Sequence, residues 1–459
     1  MTSSHSSSRP DAFFENGSIP QIVWTLALPT IITQVINMVY NFADTWYIGR
    51  TGNAAMVAAA NVCMPVFVIM AAIANVFGIG GASVISRSIG QKNPKRARRT
   101  FAFCLYSGLA ASLLYMALIA LFRPQLILLI GGDSADYGYI YSYMFWTMIV
   151  GALPTVGNVL CGHLVRSIGA SKEAGIGMSL GGVLNMVLDP LFMFVLLPPG
   201  HEVTGAAIAT MLSNTVSLLY FVVYLLRHRD NPIFTVDPRD ISVGEHIPGD
   251  VLTVGIPAGL QTTLAMVSNM FANALSVEYG TEAVAGMGVA KKINMIAFNT
   301  CMGMTQGVLP LFGYCIGAKE YTRLRKVVRY TAKVLAIYTI GCVIVFKAAA
   351  PWLVSFFIDE PKTIAFGTEF LSVIAWAAPL CAVSYMVNSL FQAAGSRLRA
   401  LLLAIMRKGV VDIPAMFVFK SFIGAAGIVW ATPFAEVVSA AVAVVLYVTF
   451  MKKLPEKAA

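Results

Sequence analysis

Long apolar runs separated by short polar breaks dominate this chain. Twelve apolar segments can be read, at about 20–48, 54–86, 100–122, 137–164, 174–198, 204–226, 251–277, 283–316, 328–350, 364–391, 400–419 and 422–450. Runs of about 20 apolar residues match the thickness of a bilayer's hydrocarbon core. The pattern therefore predicts an all-α membrane protein with twelve transmembrane helices. No polar stretch is long enough to build a large soluble domain. Composition agrees, with 58% hydrophobic and 12% charged residues in 459, where soluble domains carry about 25% charged.

The segments repeat. Pro29, Asn41 and Gly52 recur 228 positions later as Pro257, Asn269 and Gly280, and "IGQK" at 89–92 answers "IGAK" at 316–319. Gly80, Arg96 and Arg98 recur as Gly307, Arg323 and Arg325, and the Ala209–Thr210 pair as Ala431–Thr432. A shared offset over so long a stretch points to duplication. Each half then holds six helices, an even number, so the two six-helix lobes run parallel around a central cavity. The expected organisation is a disordered tail (1–19), a first lobe (20–226), a polar linker (227–250), a second lobe (251–450) and a short tail (451–459).

The net charge of +10 raises the question of nucleic acid, but its placement answers it. Most of the 32 Lys and Arg are assigned to the tails and to loops on one side. Arg50, Arg123, Lys347, Lys362 and Lys420 lie on the other, and Lys291, Lys292 and Lys333 within segments. The positive-inside rule places both termini in the cytoplasm of a multi-pass protein of the cytoplasmic (inner) membrane. The basic balance is thus a topology signal, and no nucleic-acid partner is expected. The seven cysteines lie in the apolar segments without C-x-x-C spacing and read as small buried hydrophobes, so no metal site is expected. The first residues lack the build of a cleaved signal peptide.

Against this apolar background the polar residues stand out. Gln34, Asn37, Asn41 and Asp44 follow steps of three, four and three in the first helix, falling within an arc of about 80°. Such a stripe must face protein or water. "GVLNMVLDPLFMF" at 182–194 sets Asn185 and Asp189 one turn apart on the fifth helix, and Thr210 and Asn214 mark the sixth. A carboxylate at a helix centre costs about 2.5–3.5 kcal/mol on insertion scales, so Asp44 and Asp189 call for a function. The amides also serve as ordinary interhelical hydrogen bonders. The second half keeps a stripe of Thr262, Asn269 and Ser276 but has Ala272 where the repeat would put an acid. Lys291, Lys292, Asp412 and Glu436 are left without assigned roles. Met144, Trp146, Trp376, Tyr385 and Met386 are candidates for a substrate cavity, though such residues more often serve as packing or interfacial belts. No H-E-x-x-H, G-x-S-x-G or paired-His pattern occurs, and the protein is not expected to be an enzyme.

Taken together, "NFADTWYIG", "VRSIGASKEAG", "GVLNMVLDPLFMF", "GAAIAT" and the twice-occurring "IG-x-K" resemble the MATE (multidrug and toxic compound extrusion) family, in its MepA/DinF-like bacterial branch. The resemblance spans nearly the whole chain. It implies export of small, mostly cationic organic compounds across the membrane in exchange for protons or sodium ions, by a monomer embedded in the lipid bilayer that carries no cofactor. It also implies a cation site formed by Asp44, Asn185, Asp189 and Thr210, with Gln34, Asn37, Asn41 and Asn214 as accessory groups. The seventh and tenth helices lack the carboxylates that some members carry. The alternative within the same superfamily is a flippase for lipid-linked precursors, whose substrates favour extra helices and a more cationic cavity than these residues supply.

Overall fold

The computed structural model describes residues 12–15, 17–130 and 136–455, and among them there is no strand. The first lobe comprises α1 (Ile19–Gly49), α2 (Ala54–Gly90), α3 (Pro94–Leu129), α4 (Tyr137–Val150, bent by 47° into Ala152–Arg166), α5 (Ser171–Leu191, continued by a π-helical turn, Phe192–Leu196) and α6 (Glu202–Arg227). The second comprises α7 (Ile247–Ser276), α8 (Thr281–Gly317), α9 (Tyr321–Ala348), α10 (Pro361–Ile374, bent by 44° into Ala377–Ala393), α11 (Arg397–Ile405, a π-helical turn Met406–Val410, then Asp412–Ile423) and α12 (Ala425–Lys452). Eight of these are long and apolar enough to cross a bilayer singly, and the two bent pairs bring the number to ten. The remaining two, α8 and α11, carry Lys291, Lys292, Arg407, Lys408 and Asp412 between them.

Local chemistry sets the helix ends. Asn53 caps α2 by accepting from the Ala55 N–H at 3.0 Å. Asn93 does the same for α3 from Arg96 at 3.0 Å, with Pro94 in the first turn. The repeat extends to the backbone. Lys92 and Lys319 close α2 and α8 with φ of 56° and 58°, a left-handed turn uncommon outside glycine. The same bond follows each, from Asn93 N to Ser88 O at 2.9 Å and from Glu320 N to Cys315 O at 2.8 Å. This is the physical content of the doubled "IG-x-K".

The lobes meet through glycine. A Cβ on Gly90 would stand 2.3 Å from Tyr314 O, one on Gly317 2.1 Å from Arg87 O, and one on Gly255 2.0 Å from Val76 O. Backbones this close exclude any side chain, as at the small-residue interfaces of other membrane helices. These approaches lie between the middle of the bundle and the face that carries the start of α1 and the end of α12. On that face α3 is tied to the first turn of α7, where Arg96 meets Asp250 at 2.5 Å, and to the linker, where Arg98 meets Asp240 at 2.8 Å and Tyr106 donates to Val236 O at 2.6 Å. The tail expected to be disordered through residue 19 is structured where it is described. Ala12–Glu15 form a short helix whose Phe14 is fully buried and stacks on Tyr314, ring centroids 5.0 Å apart. An aromatic ring among polar neighbours supplied an anchor that composition alone hid. The closing tail lies outside the described residues beyond Pro455.

Candidate functional site

The answer to why an acid and an amide sit together on α5 lies in how α5 approaches its neighbours. Gly182 faces Tyr40 and Ile36 of α1, where a Cβ would come within 3.2 Å and 3.1 Å, and Gly181 faces Ser217 of α6 at 2.6 Å. These two glycines let three polar helix faces converge. The space left between them is a cavity of about 170 Å³, lined by Asn37, Tyr40, Asn158, Asn185, Thr210 and Asn214 among others.

At its wall Asn185 donates through Nδ2 to Asp189 Oδ1 at 2.9 Å and lies 3.3 Å from Thr210 Oγ1. Asp189 is 0% exposed. Its Oδ2, together with Asn185 Oδ1 and Asn158 Oδ1, is buried without a hydrogen-bond partner. Buried acceptors are normally satisfied. Three unsatisfied oxygens in one region form a donor set suited to a hard cation or a proton. Pro190 follows Asp189, and the π-helical turn Phe192–Leu196 comes directly after. Gly205 of α6 packs onto that turn, where a Cβ would stand 2.8 Å from Phe192 O. Irregular turns of this kind recur at functional sites.

The other sequence candidates divide. Asp44 is half-buried, is held by no hydrogen bond or ion pair, and lies within electrostatic reach of Asp189, Tyr40 and Tyr143. Asn37 and Asn214 line the cavity, and Asn214 donates to Thr210 O at 3.0 Å. Asn41 is exposed and folds back on Asn37 O at 2.6 Å, while Gln34 is half-buried outside the cavity wall. Asn158, absent from the sequence reading, donates to Asn214 Oδ1 at 3.2 Å. It is the one side-chain amide in the α4 stretch "LPTVGNVLCGHL", and a lone amide in so apolar a helix is the signal that marks it.

The five residues named for a substrate cavity are not brought together. Met144 is fully buried in the packing of the first lobe, and Trp146 lies in an edge contact with Phe145. Trp376 is half-exposed under the Lys347 ammonium, and Met386 is buried in the core that the two lobes share. Tyr385 alone sits by buried charge, with the Arg407 guanidinium 4.1 Å from its ring centre.

Arg407 and Lys408 require a correction. By sequence position they count among the loop charge of one membrane face, yet they occupy the π-helical turn inside α11. Arg407 Nε meets Glu436 Oε1 of α12 at 2.7 Å, and Lys408 Nζ meets Asp412 Oδ2 at 3.0 Å, with Ser268 Oγ donating to the same oxygen at 2.6 Å. Glu436 and Asp412, left without roles from sequence, are therefore paired residues of one buried network.

Two parallel six-helix lobes with a buried polar site on a cavity between helices form the build of a secondary transporter. Comparison with known proteins carries this further. The MatE family model matches residues 29–191 and 257–418, one block in each lobe. The multidrug export protein MepA of Staphylococcus saprophyticus is 27% identical over 436 residues, 95% of this chain and 94% of the relative. MepA of Staphylococcus haemolyticus is 27% identical over 443 residues, 96% of each. Among solved structures, MATE in complex with MaL6 superposes with a TM-score of 0.91 at 23% identity, over 98% of this chain and 100% of that one. An outward-facing MATE family transporter of the MOP superfamily gives 0.90 at 23%, over 99% and 100%. The chain belongs to the MatE family.

Proposed function

We propose that the protein is a cation-coupled antiporter that exports organic, mostly cationic compounds across the cytoplasmic membrane, with both chain ends in the cytoplasm. The observation that carries this reading is the buried Asp189, whose Oδ2 has no partner and whose Oδ1 is held by Asn185 beside Thr210 at a small cavity. The names of the MepA relatives support the export of drugs.

The coupling follows from electrostatics. Asp44 and Asp189 repel one another in a poorly hydrated region, and a proton or a sodium ion relieves that repulsion. A cationic substrate gains from the same carboxylates when they are charged and loses that attraction when they are neutralised. Ion and substrate thus exclude each other, which is the condition for exchange. Loading drives a change of state only if the ion binds one facing state more tightly than the other. Pro190 removes one backbone hydrogen bond of α5, and the π-helical turn beyond it supplies a bend point.

The test is flux of a cationic dye from proteoliposomes under an imposed proton or sodium gradient, one at a time. The wild type is expected to couple dye movement to one gradient, and Asp189→Asn to remain inserted and folded while its flux falls to the leak of empty liposomes. Gradient-driven flux surviving in Asp189→Asn overturns the site. A wild type that responds to neither gradient overturns the coupling.

A further inference from the structure

The buried charges of the second lobe do not cancel. Arg407 is matched by Glu436 and Lys408 by Asp412, which leaves Lys291 of α8. Its Nζ is covered from solvent, has no hydrogen-bond partner, and lies within electrostatic reach of Lys408 and Asp412. When Lys291 carries its proton, three cations stand against two carboxylates, an imbalance that a further anion would complete.

The location is not arbitrary. Lys408 and Asp412 lie 223 positions after Asn185 and Asp189, and Glu436 lies 222 after Asn214, the offset that also separates Thr432 from Thr210. The network therefore occupies, in the second lobe, the place that the Asn185–Asp189 site holds in the first. The backbone devices recur as well. Each aspartate stands beside a π-helical turn, Phe192–Leu196 or Met406–Val410, and a proline follows within two residues. Only the charge differs. The first lobe presents carboxylates and amides, and the second carries one excess positive charge. The cluster is not wholly buried, since Lys408 keeps 16% of its side chain exposed and Lys291 is only partly buried as a residue.

We propose that this cluster is a binding site for one monovalent anion, with the Lys291 ammonium as its principal partner and Lys408 as its second. Two sources offer that chemistry: the acid group of a zwitterionic substrate, and free chloride. The substrate form rests on the exporter reading, whereas the chloride form requires binding alone.

The test uses the full-length protein in detergent and two probes, a cationic xanthene dye with a free benzoate and the methyl ester of the same dye. Lys291→Met is expected to weaken the acid dye by at least about tenfold and leave the ester within about twofold, with Lys291→Arg close to wild type. If chloride is the source, exchanging it for gluconate lowers the melting temperature of the wild type and chloride restores it, while Lys291→Met is indifferent. Asp412→Asn, which frees Lys408, is expected to tighten the acid dye or the chloride response. The proposal is overturned if Lys291→Met treats both dyes and chloride as the wild type does, or if Asp412→Asn leaves anion binding unchanged or weaker. Gradient-driven flux of the ester in Lys291→Met liposomes reports on the exporter reading separately, because that substrate makes no call on the anion site.

Discussion

Asn185 donates to Asp189 across one helical turn at 2.9 Å, and it is the carboxylate's sole hydrogen-bond partner among the described residues. That single bond ties the acid to an amide on the cavity wall and leaves Oδ2 without a partner. Removing a hydrogen bond to a charged group costs about 1.5–3 kcal/mol, a factor of ten or more in an equilibrium. Asn185→Leu is therefore expected to cut gradient-driven dye efflux by at least about tenfold, whichever ion drives it. The leucine fills the same volume but leaves the buried Asp189 without its partner, so the melting temperature of the purified protein is expected to fall, while the fraction that remains folded at the assay temperature carries the efflux defect. Efflux within about twofold of wild type would mean that Asp189 works without its amide.

The second lobe holds an ion pair of a different kind. Arg407 and Glu436 are 6% and 1% exposed, 2.7 Å apart, and Arg407 also reaches Cys381 Sγ at 3.2 Å. Taking away one partner strands the other, at a cost of about 3–5 kcal/mol, whereas replacing both with apolar groups is often neutral. Arg407→Met is expected to lower the melting temperature sharply and reduce yield. The double variant Arg407→Met with Glu436→Met is expected to recover most of the loss. Thermal melts of the four proteins in one detergent form the double-mutant cycle that checks this.

The contrast between the lobes explains what could be read from the sequence. Twelve apolar runs and a repeat of fixed offset are local and periodic, so the two-lobed bundle was legible. The Asn185–Asp189 pair was legible because both groups lie on one face of one helix. Arg407 was not, since its partner is on the next helix, 29 positions on, and a basic pair soon after a basic loop counts as loop charge until burial shows otherwise. Residue type leaves Met144 and Trp376 open in the same way. An aromatic or thioether side chain suits a cavity, a core and a membrane interface equally, and only packing decides which.

Backbone contact between the lobes gives a conformational prediction. A Cβ at Gly317 would stand 2.1 Å from Arg87 O, so any side chain there forces α2 and α8 apart at the face bearing the start of α1 and the end of α12. Gly317→Val is expected to favour a state open on that face. Spin labels on cysteines replacing the exposed Lys95 and Lys326 should report a longer distance than in an otherwise wild-type protein, and efflux should fall. An unchanged distance distribution would place the pivot elsewhere.

The linker carries a pH dependence that can be signed. Burial by itself raises the pKa of Asp240, but hydrogen bonds from Thr235 and Arg98, with the charges of Arg98 and Arg99, outweigh it and hold the carboxyl below its ordinary value. A group whose pKa is lower folded than unfolded adds stability that is fully present above the unfolded value, about 4 for an aspartate. That contribution is lost as pH falls through the lower, folded value. Acid should therefore loosen the contact between α3 and the linker only below the range in which ordinary carboxylates titrate. Asp240 is 26% exposed on its side chain and Arg98 39%, so solvent screening keeps the effect modest. Asp240→Asn cannot titrate at this position. It is expected to melt slightly lower than wild type at neutral pH and to lose less on acidification, so that the two melting curves converge in acid. Parallel curves across that range would mean that Asp240 contributes nothing to docking the linker, and that the bonds of Tyr106 to Val236 O and of Arg99 to Glu245 hold it.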